Sequence, residues 1–237
     1  MLIHEASTNH EMWQPQTEHF SKKYKVLTYD VRGHGQSEGS DRYYSCKLFA
    51  EDLKALLDNL DIRKPYVCGL SLGGMIAQAY AVKYPDTTSA LVLADATASS
   101  ALTLKDKLQK LLFPKFIIKF LIRILSMERY VDFAFLFFKK MKPEVKEYLK
   151  KQLIDFKKQE LLKLTDAIYD FNLLELSKIN VPTLIILGEL ERKAVFIHVE
   201  KMKELIKDSF MVVISDAMHA SNLENSEKFN KALEDFF

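Results

Sequence analysis

The chain has little to staple, thread or charge it strongly. Its 237 residues include two cysteines, Cys46 and Cys68, too few for the disulfide framework of a small secreted domain. Cys68 falls in an apolar run that reads as a buried strand, so reduced thiols and a cytoplasmic location are expected. The N-terminus lacks a basic start, an apolar core and a small-residue cleavage site, and no secretory leader is expected. The most apolar stretch, Pro114 to Leu125, carries Lys115, Lys119 and Arg123. A charge in every turn excludes a bilayer span. A net charge of +2, with no dense basic patch beside an aromatic platform, gives no reason to expect a nucleic-acid partner. Glycine-rich phosphate loops of either nucleotide class are missing. His4, His10 and His34 lack the spaced cysteine or carboxylate partners of a zinc site. No metal and no cofactor is expected.

Six short apolar or β-branched runs do stand out: Met1–Ile3, Lys25–Tyr29, Pro65–Cys68, Ala90–Ala94, Thr183–Leu187 and Phe210–Ile214. Continuous apolar runs without alternation suit strands buried on both faces, as in a parallel sheet covered by helices. Helical spacing appears between them, through Leu48, Leu53, Leu56 and Leu57 in Ser45–Leu60, and through Phe229, Leu233 and Phe236 near the end. Such alternation predicts an α/β fold: a doubly wound, mostly parallel sheet of about six strands, with ligands beyond the strands' carboxyl ends.

Residues 97–176 break the alternation and read as helical throughout. Between Ala101 and Asn172 sixteen Lys and Arg face nine Asp and Glu, a surplus of seven that leaves the rest of the chain at −5. An all-helical cap inserted into a core made of 1–96 and 177–237 is the natural division. Its helices are expected to expose basic residues and to turn their apolar faces toward the site. Lys115, Lys119 and Arg123 lie four residues apart on one stripe. Such a helix can lie on a membrane surface, but a lid helix with one solvated stripe is the simpler account. Phe133, Phe135, Phe137 and Phe138 are dense enough to line a pocket, although packing explains most such clusters.

The strongest chemical signal is Tyr66-Val67-Cys68-Gly69-Leu70-Ser71-Leu72-Gly73-Gly74. An apolar run, Gly-x-Ser-x-Gly and a small-residue helical pattern read as strand, sharp turn and helix, with Ser71 at the apex. A serine hydroxyl is a weak nucleophile at neutral pH and needs a base within hydrogen-bond reach. Three further stretches supply context: Tyr29-Asp30-Val31-Arg32-Gly33-His34-Gly35-Gln36-Ser37, Val181–Glu191, and Asp216-Ala217-Met218-His219-Ala220-Ser221-Asn222-Leu223-Glu224.

Together these motifs resemble the α/β-hydrolase fold family, in its serine esterase/lipase-like branch with a helical cap, nearly from end to end. The elbow segment is most similar to small carboxylesterases and enol-lactonases. The resemblance implies Ser71 as nucleophile, His219 as base, an acid between them in the chain, and backbone N–H donors at Ala6 and Leu72 as the oxyanion hole. A serine nucleophile argues against the dehalogenase and epoxide hydrolase branches, which attack with aspartate. Asp30, Arg32 and His34 read as loop-tying residues, and Trp13 and Met75 as candidates for pocket wall or core.

Three departures from the family pattern matter. The acid position holds Glu191 where aspartate is usual; Asp95 is the alternative acid and Glu189 a further contender. The first strand ends His4-Glu5-Ala6-Ser7, where the family has His-Gly-x. Glu5 either points to solvent or weakens an oxyanion hole whose donors are each worth about 3 kcal/mol. The antiparallel hairpin that usually precedes this strand is not apparent, and the edge it would cover invites a homodimer or lowers stability. The reading is a serine hydrolase of small to medium esters or lactones. Its rival is a hydrolase-like ligand-binding or weakly active protein with an impaired oxyanion hole.

Overall fold

The computed structural model describes residues 1–237, the side chain of Phe137 apart. In chain order it forms β1 (Leu2–Ile3), α1 (Gln14–Phe20), β2 (Thr28–Tyr29), α2 (Cys46–Asn59), β3 (Tyr66–Leu70), α3 (Leu72–Lys83) and β4 (Ala90–Ala94). Five helices follow: α4 (Leu104–Leu112), α5 (Lys115–Ile124), α6 (Met127–Ala134), α7 (Pro143–Asp155) and α8 (Lys158–Tyr169). The chain then returns through β5 (Thr183–Gly188), α9 (Lys193–Leu205), β6 (Ser209–Ile214), α10 (Ser221–Glu224) and α11 (Ser226–Phe236).

The six strands make one sheet in the order β2-β1-β3-β4-β5-β6. Every neighbouring pair is parallel, so the expected mostly parallel sheet is parallel throughout among the described residues. Side chains alternate between its faces with the period of two that a pleated strand imposes. Val67, Leu91, Leu93, Ile185 and Leu187 pack with α2, α3 and α9. Cys68, Leu70, Val92, Ala94, Leu184 and Ile186 pack with α1 and α11. Both faces are therefore dry, which is why the strands read as unbroken apolar runs. Truncating a fully buried anchor such as Phe229 would cost about 3–5 kcal/mol.

Two features place the strand ends for use. The order reverses between β1 and β3, since the chain runs outward to β2 and returns on the other side of β1. Such a switch point opens a crevice beyond the strands' carboxyl ends. Glycine at 73 also lets α3 sit directly on β1, because a Cβ there would meet the Ile3 carbonyl oxygen at 2.1 Å. The loop after β1 and the turn after β3 are thus pressed together. The β2 edge is two residues long, leaving few free backbone groups for another chain to pair with.

Helices α4 to α8 fill the interval between β4 and β5, the segment expected to be helical. Helices α6 to α8 bury apolar faces as expected, whereas the basic stripe of α5 departs from expectation. Lys115 and Lys119 of α5 face α8, where they pair with Asp166 and Asp170. That stripe is paired with acids rather than solvated; Arg123 alone of the three is exposed. Among the described residues no helix is long and apolar enough to cross a membrane.

Candidate active site

Parallel strands bring their carboxyl ends to one edge, and the chemistry-bearing residues follow those ends: Glu5 after β1, Ser71 after β3, Asp95 after β4, Glu191 after β5 and His219 after β6. Ser71 begins α3 with φ +53° and ψ −112°, a sparsely populated conformation costing about 1–3 kcal/mol. Its N–H is fixed by the Ala94 carbonyl at 2.9 Å. The side chain is thereby lifted out of the strand.

His219 Nε2 lies 2.9 Å from Ser71 Oγ, and its Nδ1 is hydrogen-bonded to Glu191 Oε1. The second Glu191 oxygen accepts the Arg192 N–H at 2.7 Å. In the neutral imidazole, a carboxylate at Nδ1 keeps the proton there and leaves Nε2 to accept. Burial raises the Glu191 pKa, but the His219 imidazole and the Arg192 N–H outweigh it and hold the carboxylate below its ordinary range. Burial likewise disfavours the His219 imidazolium, yet the carboxylates of Glu191, Glu5 and Asp95 lift its pKa to about 9.

The other candidate acids have different partners. Asp95 is fully buried at φ +46° and accepts the Gly188 N–H at 2.8 Å and both the N–H and hydroxyl of Ser221. It joins β4, β5 and the histidine loop instead of touching the imidazole. Glu189 accepts the Asp216 N–H at 3.1 Å. The histidine loop also leans on Gly188, where a Cβ would meet the Met218 carbonyl oxygen at 2.0 Å.

Neither the Ala6 nor the Leu72 backbone N–H has a protein acceptor among the described residues. A helix's first N–H groups are free by construction, so Leu72 is a ready donor. Glu5 does not point to solvent. Its side chain is 8% exposed, and Oε2 stands 3.9 Å from His219 Nε2. Burial, with Glu224 and Glu191 adding to it, lifts its pKa to about 7 despite the opposing His219.

One residue that serves the site escaped sequence reading. Glu224 accepts the N–H groups of Met218 and Ala220 on either side of His219, at 3.0 and 3.4 Å, and that of Lys142 at 3.1 Å. An acid five residues past the histidine, within the same loop, was the available signal. Phe138 packs on the imidazole, ring centres 5.6 Å apart, and Phe135 packs on Phe138. Phe133 lines a groove of about 420 Å³; the Phe137 side chain lies outside the described residues. Met75 lines a cavity of about 240 Å³ with His198 and Arg192, whereas Trp13 is core, packed on Phe229.

Asp30, Arg32 and His34 are structural in their contacts. Asp30 caps the backbone N–H groups of His10 and Gln36, Arg32 pairs with Asp52, and His34 stacks on His4 and Phe156. His4 accepts the Val31 N–H at 2.9 Å, and burial depresses its pKa to about 3. It holds the first loop as a neutral ring. Among the described residues no three His, Cys, Asp or Glu side chains gather as metal ligands.

The sequence model of the alpha/beta hydrolase fold matches residues 1–226. The chain belongs to the α/β-hydrolase fold family. Within that family it is 29% identical to the 3-oxoadipate enol-lactonase 2 of Acinetobacter baylyi over 234 residues, covering 96% of this chain and 84% of that protein. The enol-lactonase of Burkholderia xenovorans superposes with a TM-score of 0.85 at 26% identity, over 99% of this chain and 89% of the other. A thermophilic esterase from Thermogutta terrifontis shares the fold, with a TM-score of 0.86 at 24% identity over 99% and 87%. Family membership and the enol-lactonase relatives support hydrolase activity for this chain.

Proposed function

We propose that the chain is a serine hydrolase that cleaves small to medium carboxylic esters or lactones through an acyl-enzyme on Ser71. The observation that carries this reading is the unbroken hydrogen-bonded chain from Ser71 Oγ through His219 to Glu191. Ser71 Oγ attacks the carbonyl carbon while its proton passes to His219 Nε2. Glu191 holds the imidazole tautomer and stabilises the imidazolium. The N–H groups of Ala6 and Leu72 receive the oxyanion. His219 then protonates the leaving oxygen as the ester C–O bond breaks, leaving acyl-Ser71. Water, deprotonated by His219, releases the acid and restores the serine.

The helices of 97–176 act as a cap in this reading, which the contact of Phe138 with His219 supports. Enol-lactonase relatives favour lactones among the substrates. Hydrolysis of a short-chain p-nitrophenyl ester by wild type and by Ser71→Ala tests the proposal, together with labelling by a fluorophosphonate. Turnover and labelling that both require Ser71 are expected; absence of both would overturn it.

One observation favours a second reading, a ligand-binding or weakly active relative. Glu5 places an inward carboxyl beside the imidazole, where negative charge opposes a developing oxyanion. Under that reading Glu5→Gly raises a slow rate severalfold. Under the first, the wild-type rate is already high and the substitution does not improve it.

A further inference from the structure

Helix α4 is built inside out. The side chains that α4 turns toward the protein are polar. Asp106 caps the Thr103 N–H and lies 3.3 Å from His198 Nε2. Lys110 donates to Ser100 Oγ and to the Tyr169 carbonyl. No residue of α4 is buried, and its leucines face outward, Leu104 at 83% and Leu111 at 75% exposure. The next helix buries Ile122 and packs Ile118 on the core, yet it too turns lysines inward, with Lys115 and Lys119 held by acids of α8, while Phe116, at 68%, Phe120 and Ile124 are exposed.

An ordinary surface helix does the reverse, burying its apolar stripe and solvating its charges. Here polar groups anchor α4 and part of α5, and much of their apolar surface is displayed. Exposed apolar surface of this extent on a protein marks an interaction site. Its rim is cationic: Lys105, Lys107 and Arg123 are exposed on the same two helices and Arg129 on α6, against exposed Glu128 and Asp132 of α6, the latter paired with Lys150. Apolar side chains flanked by lysine and arginine suit the boundary between headgroups and acyl chains of an anionic bilayer. A second copy suits it poorly, because a two-fold contact would bring the basic rim against itself.

We propose that the outward face of α4 and α5 docks this protein on an anionic lipid surface, with Leu104, Leu111, Phe116 and Phe120 entering the headgroup boundary. Docking does not depend on which bond the active site cleaves. The full chain is sedimented with phosphatidylcholine vesicles and with vesicles that also contain phosphatidylglycerol, at low and high salt. Binding to the phosphatidylglycerol vesicles, weakened by salt, is expected. The pair Leu111→Glu and Phe116→Glu, and separately the pair Lys105→Glu and Lys107→Glu, should each weaken it by about tenfold or more. Both variants should keep the wild-type melting temperature and their Ser71-dependent rate on a water-soluble ester, which separates lost docking from lost folding. Wild type remaining in the supernatant with both vesicles would overturn the proposal. So would variants that bind as well as wild type, or a dimer in sedimentation equilibrium that the same substitutions dissociate.

Discussion

Glu5 Oε2 stands 3.9 Å from His219 Nε2, the nitrogen that meets Ser71 Oγ at 2.9 Å. The imidazole must be neutral to take the serine proton, and the carboxylates around it lift its pKa to about 9. Activity, as kcat/KM, should therefore rise with pH through the alkaline range instead of levelling off near the ordinary histidine value of about 6.5. Glu5→Gln keeps the size and removes one negative charge, so the rising limb should move to lower pH. A pH–rate profile of the two proteins checks this. An unmoved limb would mean that Glu5 is electrostatically silent at the imidazole.

The same residue should leave a mark on stability. The Glu5 carboxyl titrates at about 7 in the folded chain, against about 4.3 in an unfolded one. The unfolded state loses its proton first, so the native state is progressively disfavoured as pH rises from about 4 through 7. Glu5→Gln escapes that penalty. Its melting temperature should match wild type near pH 3.5 and exceed it by several degrees near pH 8, as read by calorimetry.

Glu191 and Asp95 should fail in different ways. Removing the group that holds the imidazole tautomer costs on the order of 10³–10⁴ in kcat. Glu191→Gln should therefore lose that much with the melting temperature little changed. Asp95→Ala instead strands the Gly188 and Ser221 N–H groups, each worth about 1–3 kcal/mol when buried without a partner. Denaturant unfolding beside steady-state kinetics separates the two. Equal loss of activity with no loss of stability in Asp95→Ala would reverse the assignment.

Glu224→Ala should loosen the turn that carries His219, since both flanking N–H groups lose their acceptor. A fall in kcat with KM nearly constant is expected. Glu224→Gln, which keeps a carbonyl acceptor, should recover much of the rate.

Much of this was open to reading in the sequence, for definite reasons. Parallel strands covered on both faces leave unbroken apolar runs, so β3 to β5 were placed nearly to the residue; β6, half-exposed at the edge, was still marked by its apolar run. The edge pair β1 and β2 came out shorter than their runs, because strand length also depends on what lies alongside. Chain order and local turn chemistry singled out Ser71 and His219, and the fold brings them within hydrogen-bond reach. Glu191 was read ahead of Asp95 and Glu189 although all three follow strands at the same sheet edge, and it is the one hydrogen-bonded to the imidazole. The inward turn of Glu5 and the inversion of α4 were out of reach for a related reason. Periodicity tells which side chains share a face, but not which way that face is turned.

Asp95 has one more consequence. A fully buried carboxyl that holds the Gly188 amide and Ser221 at once closes the ends of β4 and β5 and the histidine loop into a single ring. The Gly188 amide can reach water only when that ring opens, so its proton should exchange as slowly as the slowest protons of the sheet. Geometry at Ser71 and His219 is then inherited from global folding, present before any substrate arrives and surrendered only when the sheet itself comes apart.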